Sequence, residues 1–177
     1  MLTNACSTRK DNFVSRNYHG VTTKYNVLYN GNIALDKGIA ELNSKNEDNF
    51  WEILPIESLK ITDELLNTDS QSEKPSKSDF DIAEEKAVKA VQKHGMNIGG
   101  NEKNKQIDDA YLLLGKARYY SLRFIPALES FDYSIKNDPK SDLNVTLKIW
   151  KAKTLVRLQN EEAALNELQL LLKNKEL

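Results

Sequence analysis

The side chains that could carry out catalysis are few in this sequence and far apart. The two histidines, His19 and His94, lie in different segments, and the single cysteine, Cys6, lies near the N-terminus. The Gly99-Gly100 stretch lacks the Gly-Lys-Ser/Thr ending of a phosphate loop, and neither an HExxH nor a GxSxG signature occurs. Pairs of carboxylates stand near predicted helix starts, where negative charge favours the helix dipole: Glu84/Glu85, Asp108/Asp109 and Glu161/Glu162. We therefore expect no enzymatic activity, no cofactor and no metal.

Composition narrows the class of partner. Lys and Arg together number 25 against 26 Asp and Glu, so the formal net charge is -1. This balance gives no general electrostatic attraction to nucleic acid. A single cysteine excludes an intramolecular disulfide and a multi-cysteine metal site. We expect protein partners, and neither nucleic acid nor a small-molecule substrate.

The surroundings of Cys6 allow two interpretations. Leucine and small residues precede it in Leu2-Thr3-Asn4-Ala5-Cys6-Ser7, as they do in the last part of a bacterial lipoprotein signal. The alternative is an ordinary cysteine in a mobile terminus. In either case residues 1–17 are predicted to form a polar tether.

The elements that would position a functional surface are helices. From Ile107 to Pro139, apolar residues recur at helical spacing on both sides of a short break at 121–123. This pattern predicts a helical hairpin. Small residues, Gly115 and Ala127, fall where two helix backbones could approach closely.

The spacing of these residues is typical of a tetratricopeptide repeat. The predicted repeat-packing residues of the first unit are Tyr111, Leu114, Gly115, Ala127, Phe131 and Pro139, and those of a second unit are Ala152, Ala164 and Leu168. Arg118 stands where an aromatic residue is usual. The predicted fold class is all-α, with tetratricopeptide hairpins stacked as a solenoid over residues 80–177. Because the last leucines have no polar capping helix, we expect the solenoid to continue or to be covered by a partner.

The N-terminal half is predicted to contain a second, divergent hairpin over residues 18–60, with its turn at Asn30-Gly31-Asn32. Phe50, Trp51 and their neighbours around Pro55 are predicted to form an irregular segment whose aromatics pack against the helical stack. Residues 61–79 are polar and Ser-rich, and are predicted to be a flexible linker. Ser78 or Asp79 is expected to cap the next helix, which Gly95 would end.

A candidate partner surface lies on the first helix of the central hairpin: Asp109, Leu112, Lys116, Tyr119 and Tyr120. Tyr119 and Tyr120 are adjacent, so only one of them can face the core, and aromatic residues are enriched at interface centres. The alternative is that both tyrosines pack against a neighbouring helix. The converging Lys, Arg and Asn side chains that would clamp a peptide carboxylate are not evident among these residues.

Three stretches carry a resemblance to a known family. They are residues 6–35, residues 48–57 and residues 83–131, and YNVLYNGN and KHGMNIGG are their most specific parts. Together they resemble the N-terminal region of the SprE/PorW family of gliding motility proteins. The resemblance covers most of the chain outside the linker.

The resemblance implies a tetratricopeptide lipoprotein of the Bacteroidetes cell envelope that belongs to the type IX secretion system. It implies that Cys6 carries the lipid and that the protein sits on the periplasmic face of the outer membrane. The expected function is a scaffold that links the outer-membrane translocon to its periplasmic ring by protein–protein contacts. A soluble tetratricopeptide adaptor that binds a partner peptide is the second hypothesis. A cell-wall enzyme is the third, and its catalytic domain would have to follow Leu177.

Overall fold

The structure, a computed structural model, describes residues 7–51, 53–54, 57, 59 and 77–173. Cys6, Pro55 and residues 61–76 of the predicted linker lie outside the described residues. The described part is helical apart from one small strand pair. Its elements are α1 (Phe13–Thr22), a π-helical segment (Thr23–Leu28), α2 (Tyr29–Ser44), α3 (Asp79–His94), β1 (Asn97–Ile98), β2 (Asn101–Glu102), α4 (Ile107–Tyr120), α5 (Phe124–Asn137), α6 (Asn144–Arg157) and α7 (Glu161–Lys173). The prediction of an all-α fold is confirmed.

The first helical stretch corrects two predictions. α1, the π-helical segment and α2 follow one another without a turn, so the predicted hairpin over residues 18–60 is wrong. The helix begins at Phe13, where Asn12 caps it by accepting a 2.7 Å hydrogen bond from the Ser15 amide, so the predicted tether to residue 17 is too long.

The predicted turn at Asn30-Gly31-Asn32 lies inside α2. A Cβ atom on Gly31 would lie 2.6 Å from the Leu113 side chain of α4, and one on Gly38 would lie 2.7 Å from the Phe80 ring of α3. Gly31 is therefore present because α2 approaches its neighbours closely, and not because the chain turns there.

The start and end of α3 agree with the sequence signals. Ser78 caps the helix in a capping box with Asp81, and Gly95 follows its last residue. The stretch after Gly95 contains an antiparallel hairpin of β1 and β2. Gly99 and Gly100 connect the strands with φ of 61° and 79°, values at which glycine is favoured.

The second half consists of two helical hairpins, α4/α5 and α6/α7. The first helix of each ends in the same way, with a left-handed residue: Leu122 at φ 60° and Gln159 at φ 58°. The amide of the next residue, Arg123 or Asn160, then donates to a carbonyl five residues back. α5 ends at Asn137, two residues before Pro139, as the proline predicted.

Each helix packs mainly on the helices before and after it in the chain. One buried cluster lies between α2, α3 and α4, a second involves α4, α5 and α6, and a third joins α6 to α7. A Cβ atom on Gly115 would lie 2.2 Å from the Phe131 ring, so the predicted close contact of α4 and α5 is confirmed. Of the other repeat-packing residues, Ala127, Ala152 and Ala164 are buried, Leu114 is buried in the cluster with α2 and α3, Tyr111 is half-buried, and Leu168 and Pro139 are exposed.

Candidate functional site

The most strongly organised polar site lies where α4 and α6 come together beside α5. α4 contributes Lys116 and Tyr119, and α6 contributes Trp150, Lys153 and Arg157. The Lys116 ammonium lies 5.1 Å from the centre of the Trp150 ring, and the Tyr119 and Trp150 rings are 5.5 Å apart. We call the surface formed by these five residues the α4/α6 face. It combines aromatic rings with basic groups on two helices that are fixed by the core.

A carboxylate of this same chain binds to the α4/α6 face. Glu57, in the connection between α2 and α3, accepts a 2.6 Å hydrogen bond from the Tyr119 hydroxyl and one of 3.1 Å from Arg157 Nη2. The Lys153 ammonium pairs with its other oxygen. Arg157 Nε also donates to the Tyr119 hydroxyl at 3.0 Å, which fixes the direction in which that hydroxyl donates. We call this arrangement the Glu57 site.

The electrostatics of the Glu57 site favour a charged carboxylate. Burial alone would raise the pKa of Glu57, but hydrogen bonds from Lys153, Tyr119 and Arg157 outweigh it and leave the pKa below its ordinary value. Burial, together with the hydrogen bond to Glu57, raises the pKa of Tyr119, so the hydroxyl remains a donor. The site thus binds an anion with two cations and a neutral hydroxyl.

Aromatic rings complete the surroundings of the cations. Lys153 Nζ lies 4.4 Å from the centre of the Trp150 ring and 5.4 Å from that of Tyr119. Burial lowers the pKa of Lys116, next to the same indole. Leu59, two residues after Glu57, is 5% exposed and belongs to the buried cluster that contains Tyr119 and Leu147. Glu57 therefore places a carboxylate on the face, and Leu59 is buried in the adjoining apolar cluster.

The structure decides between the two interpretations of the predicted partner surface. Tyr119 is fully buried, and Tyr120 is half-buried with its ring stacked on Phe80 at 5.4 Å. The prediction that these tyrosines present a free surface is wrong, because both pack against neighbouring elements. Leu112, Lys116 and Asp109 are half-buried, and burial raises the pKa of Asp109.

Reasoning from the sequence missed Glu57, Lys153 and Arg157. A signal for Lys153 was present: Gly115-Lys116 and Ala152-Lys153 occupy equivalent places in the two hairpins, so both lysines lie on the first helix of a hairpin. The α4 residues alone do not supply a converging basic set, but Lys153 and Arg157 of α6 complete one beside Tyr119. Nothing in the local sequence indicates Glu57, which lies 100 residues from Arg157.

A second carboxylate cluster holds three helices together. Glu84 of α3 accepts a 2.9 Å hydrogen bond from Arg118 Nε and also pairs with Arg123. Arg118 Nη1 donates in addition to the Pro126 carbonyl at 3.1 Å and to Ser130 Oγ at 2.9 Å, both in α5. Arg118, at the position where the repeat pattern predicts an aromatic residue, therefore joins α3 to α5. We call this cluster the Glu84 site.

The two histidines, which looked unrelated in the sequence, are in contact. His19 Nδ1 and His94 Nδ1 are 3.0 Å apart, and both side chains are buried. Burial, followed by the proximity of His19, lowers the pKa of His94. Within the described ranges no three His, Cys, Asp or Glu side chains lie close enough together to hold a metal ion. The pair links α1 to α3.

Several aromatic and aliphatic side chains that were predicted to pack are exposed instead. Phe50 is 80% exposed, Trp51 96% and Ile53 100%, so these residues do not pack against the helical stack. An apolar stripe on the first helical stretch is also more than half exposed: Tyr18, Val21, Tyr25 and Tyr29. The inner side of that stretch carries the buried Ser15, His19, Thr23 and Val27.

Comparison with known proteins supplies no family. No protein-family model matches the chain, and no curated protein matches it. None of the helices that the structure describes has the length and apolar character needed to cross a bilayer.

Proposed function

We propose that this chain is a non-catalytic scaffold that joins other proteins through surfaces of stacked helical hairpins. The observation that carries the proposal is the α4/α6 face, on which two helices bind the Glu57 carboxylate from the connection between α2 and α3, with Leu59 buried in the cluster that contains Tyr119. Recognition of a peptide by pockets for alternate side chains is a common mode of protein–protein interaction. The exposed stripe on the first helical stretch supports the same proposal, because contiguous apolar surface is typical of interaction sites.

We propose that the helical hairpins are tetratricopeptide repeats stacked as a solenoid. It is supported by the equivalence of the two hairpins: small residues at matching places, the same left-handed ending of α4 and α6, and a lysine after each small residue. Exposed leucines on the last helix, including Leu165 and Leu172, would be covered by a following hairpin or by a partner.

The resemblance to the SprE/PorW family supplies the setting of the proposal. In that setting the scaffold serves the type IX secretion system and the gliding machinery, connecting the outer-membrane translocon to its periplasmic ring. Lipid on Cys6 would hold the protein on the periplasmic face of the outer membrane. Each buried methylene would contribute about 0.8 kcal/mol, and two or more acyl chains are needed for a stable anchor.

The test is affinity purification from the native cell envelope, with a tag at the C-terminus of the full-length protein. We expect the translocon and ring subunits to co-purify with the wild type and to be lost with Cys6→Ala. Recovery of the same subunits with Cys6→Ala would contradict the anchor, and recovery of cytosolic proteins alone would contradict the envelope scaffold.

A soluble adaptor that binds a partner peptide remains the second candidate, and a specific observation favours it. Tyr119, Lys153 and Arg157 converge on one carboxylate, which is the donor set that such an adaptor needs. The purification above separates the two candidates, because the adaptor would be recovered with soluble partners independently of Cys6.

A further inference from the structure

We propose that the α4/α6 face is the binding site for an acidic, extended peptide of a partner protein, and that Glu57 and Leu59 of this chain occupy it in cis. The inference deepens the proposed scaffold function and rests on it. Its ligand class is a peptide in which a glutamate is followed two residues later by a leucine.

The charges of the α4/α6 face match a carboxylate ligand. The ion pairs that Lys153 and Arg157 make within the described part of the chain are both with Glu57. Lys116 lies on the same face, with its ammonium 5.1 Å from the centre of the Trp150 ring. If Glu57 left the face, the remaining basic side chains and the Tyr119 hydroxyl would present donors without their acceptor. A carboxylate from another chain would satisfy them in the same geometry.

The burial of Glu57 and Leu59 shows which side chains a ligand would need. The face accepts Glu57 with its side chain 17% exposed and Leu59 with 5% exposed. In an extended stretch, residues i and i+2 point to the same side, so one short peptide can supply both groups. The apolar cluster that buries Leu59 gives a second criterion beside charge, which is how such a face would distinguish a peptide from a free carboxylate.

Glu57 and Leu59 lie in a part of the chain that could leave the α4/α6 face. Glu57 and Leu59 belong to the connection between Ser44 and Asp79, which is not part of the helices on either side. Among the described residues of this connection, Leu59 is the one that is buried, while Trp51 and Ile53 are almost fully exposed. Release of these two side chains therefore removes no helix from the stack, but it opens the buried cluster around Tyr119. A trans peptide would compete with the cis residues, and its apparent affinity would fall by the fraction of occupied faces.

The experiment measures binding of a fluorescein-labelled peptide that carries residues 49–61, NFWEILPIESLKI, to the full 177-residue chain by fluorescence anisotropy. The wild type is compared with Glu57→Gln, which weakens the cis contact. We expect Glu57→Gln to bind the peptide about tenfold more tightly or better. A peptide with Gln in place of the glutamate that corresponds to Glu57 should bind about tenfold more weakly than the native peptide.

Two further variants make the result specific. Glu85→Gln is the matched control, since Glu85 pairs with Lys77 on an exposed part of α3, and it should bind like the wild type. Glu57→Gln combined with Arg157→Gln should lose the gain. If circular dichroism shows that Glu57→Gln impairs folding, Leu59→Ala replaces it with the same expected gain.

Equal peptide affinity of the wild type and of folded Glu57→Gln or Leu59→Ala would overturn the inference. Equal binding of the native and the Gln-containing peptide would also overturn it. The envelope purification is repeated with Glu57→Gln to separate the two proposals. Intact envelope complexes without any peptide binding overturn the inference alone. Peptide binding without envelope complexes overturns the proposed secretion scaffold alone.

Discussion

The Glu57 site and the Glu84 site use the same chemistry in two different settings. Each carboxylate is 17% exposed and pairs with two basic side chains, and burial opposes the lowered pKa of both. Glu84 belongs to α3, and its partner Arg118 also bonds to α5. Glu57 belongs to an irregular connection. The Glu84 site therefore joins helices to each other, whereas the Glu57 site joins a connection to helices that are already assembled.

Arg118 and Tyr119 show how one helix serves both sites. They are neighbours in α4, and they point to different sides of it: Arg118 reaches α3 and α5, and Tyr119 reaches Glu57 and α6. Identical ion pairs need not have identical roles. The role of each site depends on whether its carboxylate can leave without unpacking a helix.

We expect the largest effect on stability at the contact between Gly115 of α4 and Phe131 of α5. Gly115→Ala places a methyl group against the ring, and it should lower the free energy of unfolding by about 2–3 kcal/mol, measured by urea denaturation. Gly20→Ala is the matched control: it also lies in a helix, but the nearest atom to its added Cβ would be 3.8 Å away. The control should be neutral or slightly stabilising. Equal losses for both variants would contradict the packing argument.

The next effect separates the two sites directly. Arg118→Met should lower the free energy of unfolding by about 2 kcal/mol, because it removes one of the two basic partners of Glu84 and both hydrogen bonds that join Arg118 to α5. Arg157→Met should cost about 1 kcal/mol or less, because Glu57 can move into solvent when its partner is removed. The measurement is the same denaturation series. Equal losses would show that the Glu57 site is as structural as the Glu84 site.

Acid should weaken both the Glu84 site and the Glu57 site. Both glutamates have a pKa below the ordinary 4.5, so the stability they contribute is present above that value and is lost as pH falls through the lowered pKa. Glu84→Gln should flatten the fall in melting temperature below pH 4.5. Glu57→Gln should flatten this fall as well, because the pKa of Glu57 is lowered too. Circular dichroism melts at a series of pH values measure both variants, and a variant that leaves the slope unchanged would contradict the lowered pKa of the glutamate it replaces.

The smallest effect comes from a site that uses no carboxylate, the His19–His94 pair. Because the pKa of His94 is below 6.5, the folded state binds fewer protons than the unfolded chain in the window just below that value. Stability should therefore fall slightly as pH drops from 7 through this window. His94→Gln should remove that fall without changing the acid transition of the carboxylates. A wild-type melting temperature that is flat between pH 7 and 5 would contradict it.

Much of the second half of the fold could be predicted from the sequence because its signals are local. The apolar spacing defined α4 and α5, Ser78 marked the start of α3, and Gly115 marked a close approach. Gly31 was predicted to lie in a turn, but glycine occurs both in turns and at close helix contacts. Only the position of Leu113 in the folded chain shows that Gly31 lies at a helix contact. The Glu57 site could not be predicted, since its groups come from residues 57, 119, 153 and 157 and meet only in the folded chain.

The central claim is that Glu57 occupies a peptide site from which it can be displaced. The most direct measurement is the titration of the Glu57 carboxyl carbon by NMR in protein with ¹³C-labelled glutamate, alone and saturated with the unlabelled 49–61 peptide. We predict a pKa below the ordinary 4.5 in the free protein and a return to the ordinary value when the peptide is bound. An ordinary pKa in the free protein, or a lowered pKa that the bound peptide leaves unchanged, would contradict the account.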